Sequence, residues 1–121
     1  MRWVLITPLG KPVDPEDAKR MLMLLSGRWH EVLTGICVRA DRRRLVHVES
    51  THVRMAKLSK AEIDWYVATG EPADKAGAYA VQGLASRFIV AVEGSYSNVV
   101  GLPISRVYNL LKQLGCDILD V

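Results

Sequence analysis

The residues best suited to chemistry lie in one Gly- and Ala-rich stretch, Gly70-Glu71-Pro72-Ala73-Asp74-Lys75-Ala76-Gly77-Ala78-Tyr79-Ala80-Val81-Gln82-Gly83. Its small residues let a ligand approach the backbone. Lys75 offers an ammonium to a phosphate, and the Gln82 amide has both the donor and the acceptor needed to read a base edge. On residue types alone, a surface loop with Asp74 and Lys75 solvated and Gln82 capping backbone groups is the simpler account. A second stretch, Gly94-Ser95-Tyr96-Ser97-Asn98-Val99-Val100-Gly101-Leu102-Pro103, leads into a helix N-terminus, which is a natural anion site. A loop held by its own Ser and Asn side chains explains it as simply. Lys11, between Gly10 and Pro12, is held in an extended turn and could point at a ligand. It does not belong to a P-loop, because the GxxxxGK[ST] pattern is absent. No nucleophile elbow accompanies His30, His47 or His52.

Bulk properties narrow the classes. The 121 residues suit one domain, 1–121, with a modest core. Half of the residues are hydrophobic and 24% are charged, an ordinary soluble composition. No apolar run is long enough for a membrane span, and Trp3 to Ile6 is too short for a signal-peptide core, so a cytoplasmic protein without membrane partners is expected. The net charge of +3 and pI near 9.0 suit phosphate-bearing ligands. Much of the excess sits in Arg42-Arg43-Arg44, which reads as a solvated hairpin tip and not as a nucleic-acid surface. Cys37 and Cys116 lack CxxC spacing and read as small apolar side chains in or near strands.

The elements that must carry these residues begin with a helix predicted from about Asp14 to Ser26. Asp14 caps it, Pro15 takes the first helical position, and Glu16 and Asp17 complement the dipole. Ala18, Met21, Leu22 and Leu25 share one face, and Gly27 ends the helix. A strand around Val32–Val38 is apolar on both parities, so burial on both faces is expected. Asp41–Arg44 forms the turn and Leu45–Met55 the return strand, giving a long two-stranded ribbon inside a larger sheet. His47 and His52 fall on opposite faces and cannot share a metal from that strand.

Ser59-Lys60-Ala61-Glu62 is a capping box that starts a second helix with Ile63, Tyr66 and Val67 inward, closed by Gly70 and Pro72. Asp74–Ser86 is predicted as loop with a short strand, Phe88–Val92 as a buried strand, and Gly94–Gly101 as loop. A third helix runs from near Pro103 to Leu114, with Ile104, Val107, Leu111 and Leu114 inward and Gly115 at its end. Ile118 and Leu119 are candidates for a final strand. This order indicates an α/β or α+β domain with a mixed sheet.

Taken together, the motifs are more telling than any one of them. Leu9-Gly10-Lys11-Pro12, Leu25-Ser26-Gly27-Arg28 with His30, Val32, Thr34 and Gly35, and Leu58-Ser59 with Glu62 and Ile63 resemble the Maf family in order and spacing. So do Gly70-Glu71-Pro72, Asp74 to Tyr79 with Gln82-Gly83, and Gly94-Ser95-Tyr96 with Asn98 to Pro103. The resemblance covers nearly all the chain from Leu9 onward. It implies an α/β, Maf/ITPase-like fold, an elongated mixed sheet flanked by helices with the nucleotide in a cleft. It also implies hydrolysis of a nucleoside triphosphate to monophosphate and pyrophosphate with Mg²⁺ or Mn²⁺, by a homo-oligomer.

Residue by residue, Lys11 matches the lysine of the family's GKP motif and Lys75 that of its DKAG motif, both as phosphate contacts. Gln82 matches the Gln that helps set substrate choice in the branch acting on dTTP and UTP. Ala80 stands where a Gly is common. The family's opening strand and helix with its Ser-x-x-Arg loop, and its Ala-Asp-Thr segment, have no counterpart here. The spacing back from Lys11 places the expected general-base Asp before Met1. The chain thus resembles the C-terminal two-thirds of the family, no residue within it is assigned as catalytic, and its metal ligands are unknown. Two readings follow: a pyrophosphatase whose chain starts late, or an impaired remnant that only binds nucleotide or self-associates. The motif set argues against a third, an unrelated basic binding module.

Overall fold

Asp14 opens the first helix as its residue type predicts. In the computed structural model, which describes the backbone of Trp3–Leu5 and residues 10–116, helix α1 spans Pro15–Leu25. The Asp14 carboxylate accepts the Asp17 N–H at 2.7 Å, and the Asp17 carboxylate accepts the Val13 N–H at 3.0 Å. Ala18, Met21, Leu22 and Leu25 are buried, as their spacing requires. They join Met55, Leu58, Ile63, Tyr66, Val81 and Phe88 in the main core. Each large apolar side chain buried there contributes roughly 1.5–3 kcal/mol relative to exposure. Gly27 then takes a left-handed φ of 67° and donates its N–H to the Ala56 carbonyl at 3.0 Å. That turn locks the entry of the ribbon to its exit.

The sheet has four strands in the order β1-β2-β3-β4, with β1 (Trp3–Leu5), β2 (Trp29–Ala40), β3 (Arg43–Met55) and β4 (Ile89–Glu93). β1 runs parallel to β2 and the other pairs are antiparallel, so the sheet is mixed, as the resemblance implied. The apolar run at Trp3 is a strand that sequence patterning did not assign. The hairpin turn is confined to Asp41 and Arg42, with Asp41 in the left-handed region at φ 55°, and Arg43 and Arg44 already belong to β3. Arg43 is not merely solvated, since its guanidinium donates to the Gln113 and Leu114 carbonyls at 2.8 and 3.2 Å.

The expected burial of β2 on both faces does not hold. Leu33, Gly35 and Cys37 are exposed, as are Val46 and Val48 opposite them. β4 pairs only with His52–Met55, so the far half of the ribbon is two-stranded. Apolar character on both parities could not report a missing layer. Cys37 is therefore an exposed thiol and not a packed apolar side chain.

Helix α2 spans Lys60–Ala68 behind a complete capping box: Ser59 Oγ accepts the Glu62 N–H and the Glu62 carboxylate accepts the Ser59 N–H. Ser59→Ala is expected to cost about 1 kcal/mol. Urea unfolding of parent and variant checks this, and an unchanged midpoint would show that the cap is dispensable. After Gly70 the chain forms 3₁₀ turns at Glu71–Asp74, Ala76–Ala78 and Leu84–Phe88, and the short strand expected within Asp74–Ser86 is absent. Side-chain oxygens take several amides of this segment, leaving no ladder to build. β4 starts at Ile89, one residue later than expected, and is only half-buried, with Val90 exposed.

The stretch read as loop from Gly94 contains a short helix, α3 (Tyr96–Val100), capped by Ser95 Oγ on the Asn98 N–H at 3.2 Å. Helix α4 spans Ile104–Gln113. Leu110 and Leu114 are its buried residues, Val107 and Leu111 are half-buried, and Ile104 is 63% exposed, contrary to the expected inward set. The C-terminal end of α4 is anchored on Arg43, a contact that periodicity does not encode. Ile118 and Leu119 lie outside the described residues. No helix among the described residues is long and apolar enough to cross a membrane.

Candidate functional site

Three segments enclose a cleft of about 360 Å³. β2 supplies Glu31 to Thr34, the Gly70–Gly83 stretch supplies Lys75, Ala76 and Tyr79 to Gln82, and α3 supplies Asn98 to Val100 followed by Gly101. Asn98 staples α3 to the sheet. It is 1% exposed, and its Nδ2 lies 3.2 Å from the Val32 carbonyl, 3.4 Å from the Glu49 carbonyl and 3.0 Å from Thr51 Oγ1. Its Oδ1 has no hydrogen-bond partner among the described residues.

The wall bearing Lys75 and Gln82 is held by side chains rather than by a ladder. Tyr66 Oη accepts the Ala80 N–H at 3.1 Å, and the Glu71 carboxylate accepts the Leu84 and Ala85 N–H groups at 3.0 and 3.4 Å. A Cβ on Gly83 would meet that carboxylate, so a larger residue there would require the Glu71 side chain to shift. The Gly77 N–H goes to the Gly10 carbonyl at 3.2 Å, which sets the Lys11 turn against the same wall. Gly77 and Ala78 both have left-handed φ, 74° and 69°. For Ala78 that conformation costs roughly 1–2 kcal/mol, so the surrounding contacts must impose it.

Tyr79 carries the wall to the sheet: its hydroxyl lies 2.6 Å from His30 Nε2 on β2, and the two rings meet edge-on with centroids 5.4 Å apart. His30 is fully buried, and desolvation pushes its pKa down to about 4, so it is neutral at physiological pH. Burial raises the pKa of Tyr79, which keeps its phenol protonated.

Lys75 and Gln82 line one cleft, and both remain exposed there, as the simpler surface-loop account also has them. Lys75 is 3.8 Å from Asp74, but the side chains are 45% and 73% exposed, so that pairing competes weakly for the ammonium. The Gln82 amide makes no hydrogen bond among the described residues. Lys11 is exposed and is not among the cleft-lining residues, but it adjoins the Gly10 carbonyl that receives the Gly77 N–H. The proposed anion site at the start of α4 is occupied from within, because the Ile104 N–H donates to Ser97 Oγ at 3.0 Å. His47 meets Glu49 at 3.2 Å and His52 meets Glu31 at 3.1 Å, on opposite faces.

Tyr79, Thr34 and Asn98 were not singled out from the sequence as cleft residues, though all stand within its motifs; the only signal was their proximity to Lys75, Gly35 and Gly101. Among the described residues no group of three His, Cys, Asp or Glu side chains could hold a metal, and the lining carboxylate, Glu31, is engaged by His52. These residues do not fit a protein-held Mg²⁺ or Mn²⁺.

A mixed sheet flanked by helices, with a lysine and a glutamine on one wall of a cleft, accords with the family signal in the chain. Residues 2–114 match the Maf-like proteins, and the chain belongs to that family. It is 60% identical over 112 residues to the dTTP/UTP pyrophosphatase of Anaeromyxobacter sp. strain Fw109-5, covering 88% of this chain and 55% of that protein. It is 50% identical over 107 residues to the dTTP/UTP pyrophosphatase of Koribacter versatilis, covering 88% and 55%. With that of Bacillus cereus strain B4264 the figures are 47% over 110 residues, covering 91% and 58%. The chain thus spans little more than half the length of the curated relatives it matches.

Proposed function

We propose that the cleft takes a pyrimidine nucleoside triphosphate and serves a nucleoside triphosphate pyrophosphatase acting on dTTP, UTP or modified pyrimidine triphosphates. The observation that carries this is the placement of Lys75 and Gln82 on one wall of the cleft, in a chain whose relatives are named dTTP/UTP pyrophosphatases. In the reaction, water attacks the α-phosphorus, the bond to the bridging oxygen breaks, and monophosphate and pyrophosphate leave. Lys75 neutralises phosphate charge that grows as the bond breaks, with Lys11 as a second cation beside the wall. Gln82 reads the base, because an amide complements both the N–H and the carbonyl of a uracil or thymine edge. No residue of this chain is assigned as the base that activates water. Binding without fast turnover is therefore expected of the 121-residue chain alone.

Calorimetric titration with dTTP tests the reading. Lys75→Ala is expected to weaken binding about tenfold, the loss of one charge-assisted contact. Gln82→Glu is expected to reorder the affinities for dTTP, UTP and GTP, because a carboxylate can only accept. Equal affinities for all three in both proteins would remove Gln82 from its role. Rapid pyrophosphate release by the parent chain would show that a base lies within it.

A further inference from the structure

We propose that His30 is a positioning residue for the wall that carries Lys75 and Gln82, acting through its hydrogen bond to Tyr79. The inference rests on the reading of the cleft as the nucleotide site. Three features of the structure carry it.

The first is where the bond falls. Lys75 precedes Tyr79 and Gln82 follows it, while His30 immediately precedes the β2 residues that line the cleft. The other anchors of the wall tie it elsewhere: Gly77 to Gly10, Ala80 to Tyr66, Leu84 and Ala85 to Glu71. The His30–Tyr79 contact at 2.6 Å joins the wall to the strand opposite. It thereby helps to set the separation across which a base must fit.

The second is strain. Ala78, next to Tyr79, is held in the left-handed region at φ 69° with no exposed surface. A segment in that conformation relaxes when an anchor is removed.

The third is the cost of the residue. His30 is fully buried and its Nδ1 has no partner among the described residues. An apolar side chain would fill the same space without desolvating an imidazole. Core filling alone does not account for histidine, whereas holding the Tyr79 hydroxyl does.

The test uses the 121-residue chain and the variants Tyr79→Phe, His30→Phe, His30→Gln and the double Tyr79→Phe/His30→Phe. Affinity for dTTP is measured by calorimetry at a temperature where every variant is folded, and amide exchange is followed residue by residue. Tyr79→Phe and His30→Phe should each weaken dTTP about tenfold, and the double variant no more than either single. His30→Gln should bind nearly as the parent does, because its amide can still meet the hydroxyl. Exchange at Ala76, Gly77 and Ala80 should quicken in Tyr79→Phe while Leu22 and Tyr66 keep their protection. A structural role alone would lower the melting temperature without these local changes.

Unchanged exchange at those amides in Tyr79→Phe overturns the proposal, with or without nucleotide. So does additive loss in the double variant. Weakening by Lys75→Ala with no effect of Tyr79→Phe would sink the positioning role and leave the nucleotide reading intact. Indifference of dTTP binding to Lys75→Ala would instead sink that reading.

Discussion

Replacing Tyr66 by alanine is expected to remove on the order of 4 kcal/mol of stability. The ring is fully buried and packs edge-on against Phe88 with centroids 5.9 Å apart, in the cluster that includes Leu22 and Leu25. Truncation leaves a cavity and also strips the Ala80 N–H of its acceptor, 3.1 Å away. Domains of this size have about 5–15 kcal/mol in total, so the melting temperature should fall by roughly 15 °C. Tyr66→Phe separates the two contributions. It keeps the ring and should cost about 1–3 kcal/mol, the penalty for an amide left without its partner. Thermal and urea unfolding of both variants check this. A Tyr66→Phe protein as stable as the parent would mean that water or another group satisfies Ala80. Because Ala80 lies between Tyr79 and Gln82 in the cleft wall, the same variant links the core to the site.

The second large effect is an acid-induced loss of stability traceable to His30. Its pKa is about 4 in the fold against an ordinary 6.5, because burial disfavours the imidazolium. Between those values the unfolded chain binds a proton that the folded chain rejects. The contribution is therefore fully present above pH 6.5 and is lost as pH falls toward 4, after which it levels off. The total is on the order of 3 kcal/mol. Urea unfolding at about pH 7 and about pH 4.5 measures it, and His30→Gln, which cannot titrate, should lose correspondingly less over that interval. The difference between the two proteins isolates His30 from every other ionising group. Equal losses in both would show that His30 is hydrated and protonated inside the fold. The carboxyl of Asp17 lies below this window, held down by the Val13 N–H and then by Arg20.

These effects depend on contacts that differ greatly in how far they reach along the chain, and that reach decides what could be read in advance. The Asp14 cap and the Ser59–Glu62 box bond amides a few residues away, so residue types announced them and the structure contains both. The stripe Ala18, Met21, Leu22 and Leu25 was legible for the same reason, since a helix turns local spacing into one buried face. Within Gly94–Pro103, by contrast, the serines that suggested an open loop cap α3 and occupy the amide at the start of α4. Composition named the right residues there but not which amides they would take. The expected two-sided burial of β2 failed because an apolar strand carries no record of whether a further layer covers it.

By itself, then, the sequence determined the family, the mixed α/β character, the starts of α1, α2 and α4, and the loop bearing Lys75 and Gln82. Each rests on residues close together in the chain or on an ordered set of motifs. Only the tertiary structure decided that these two side chains share a cleft with Thr34 and Asn98. It alone brought His30 to Tyr79 and Tyr66 to Ala80. Such contacts join distant segments, and their geometry depends on how the strands, the 3₁₀ turns and α3 pack together. A hydrogen bond of that kind leaves no periodic signal, because it depends on an approach of a few ångströms that only the assembled core can impose.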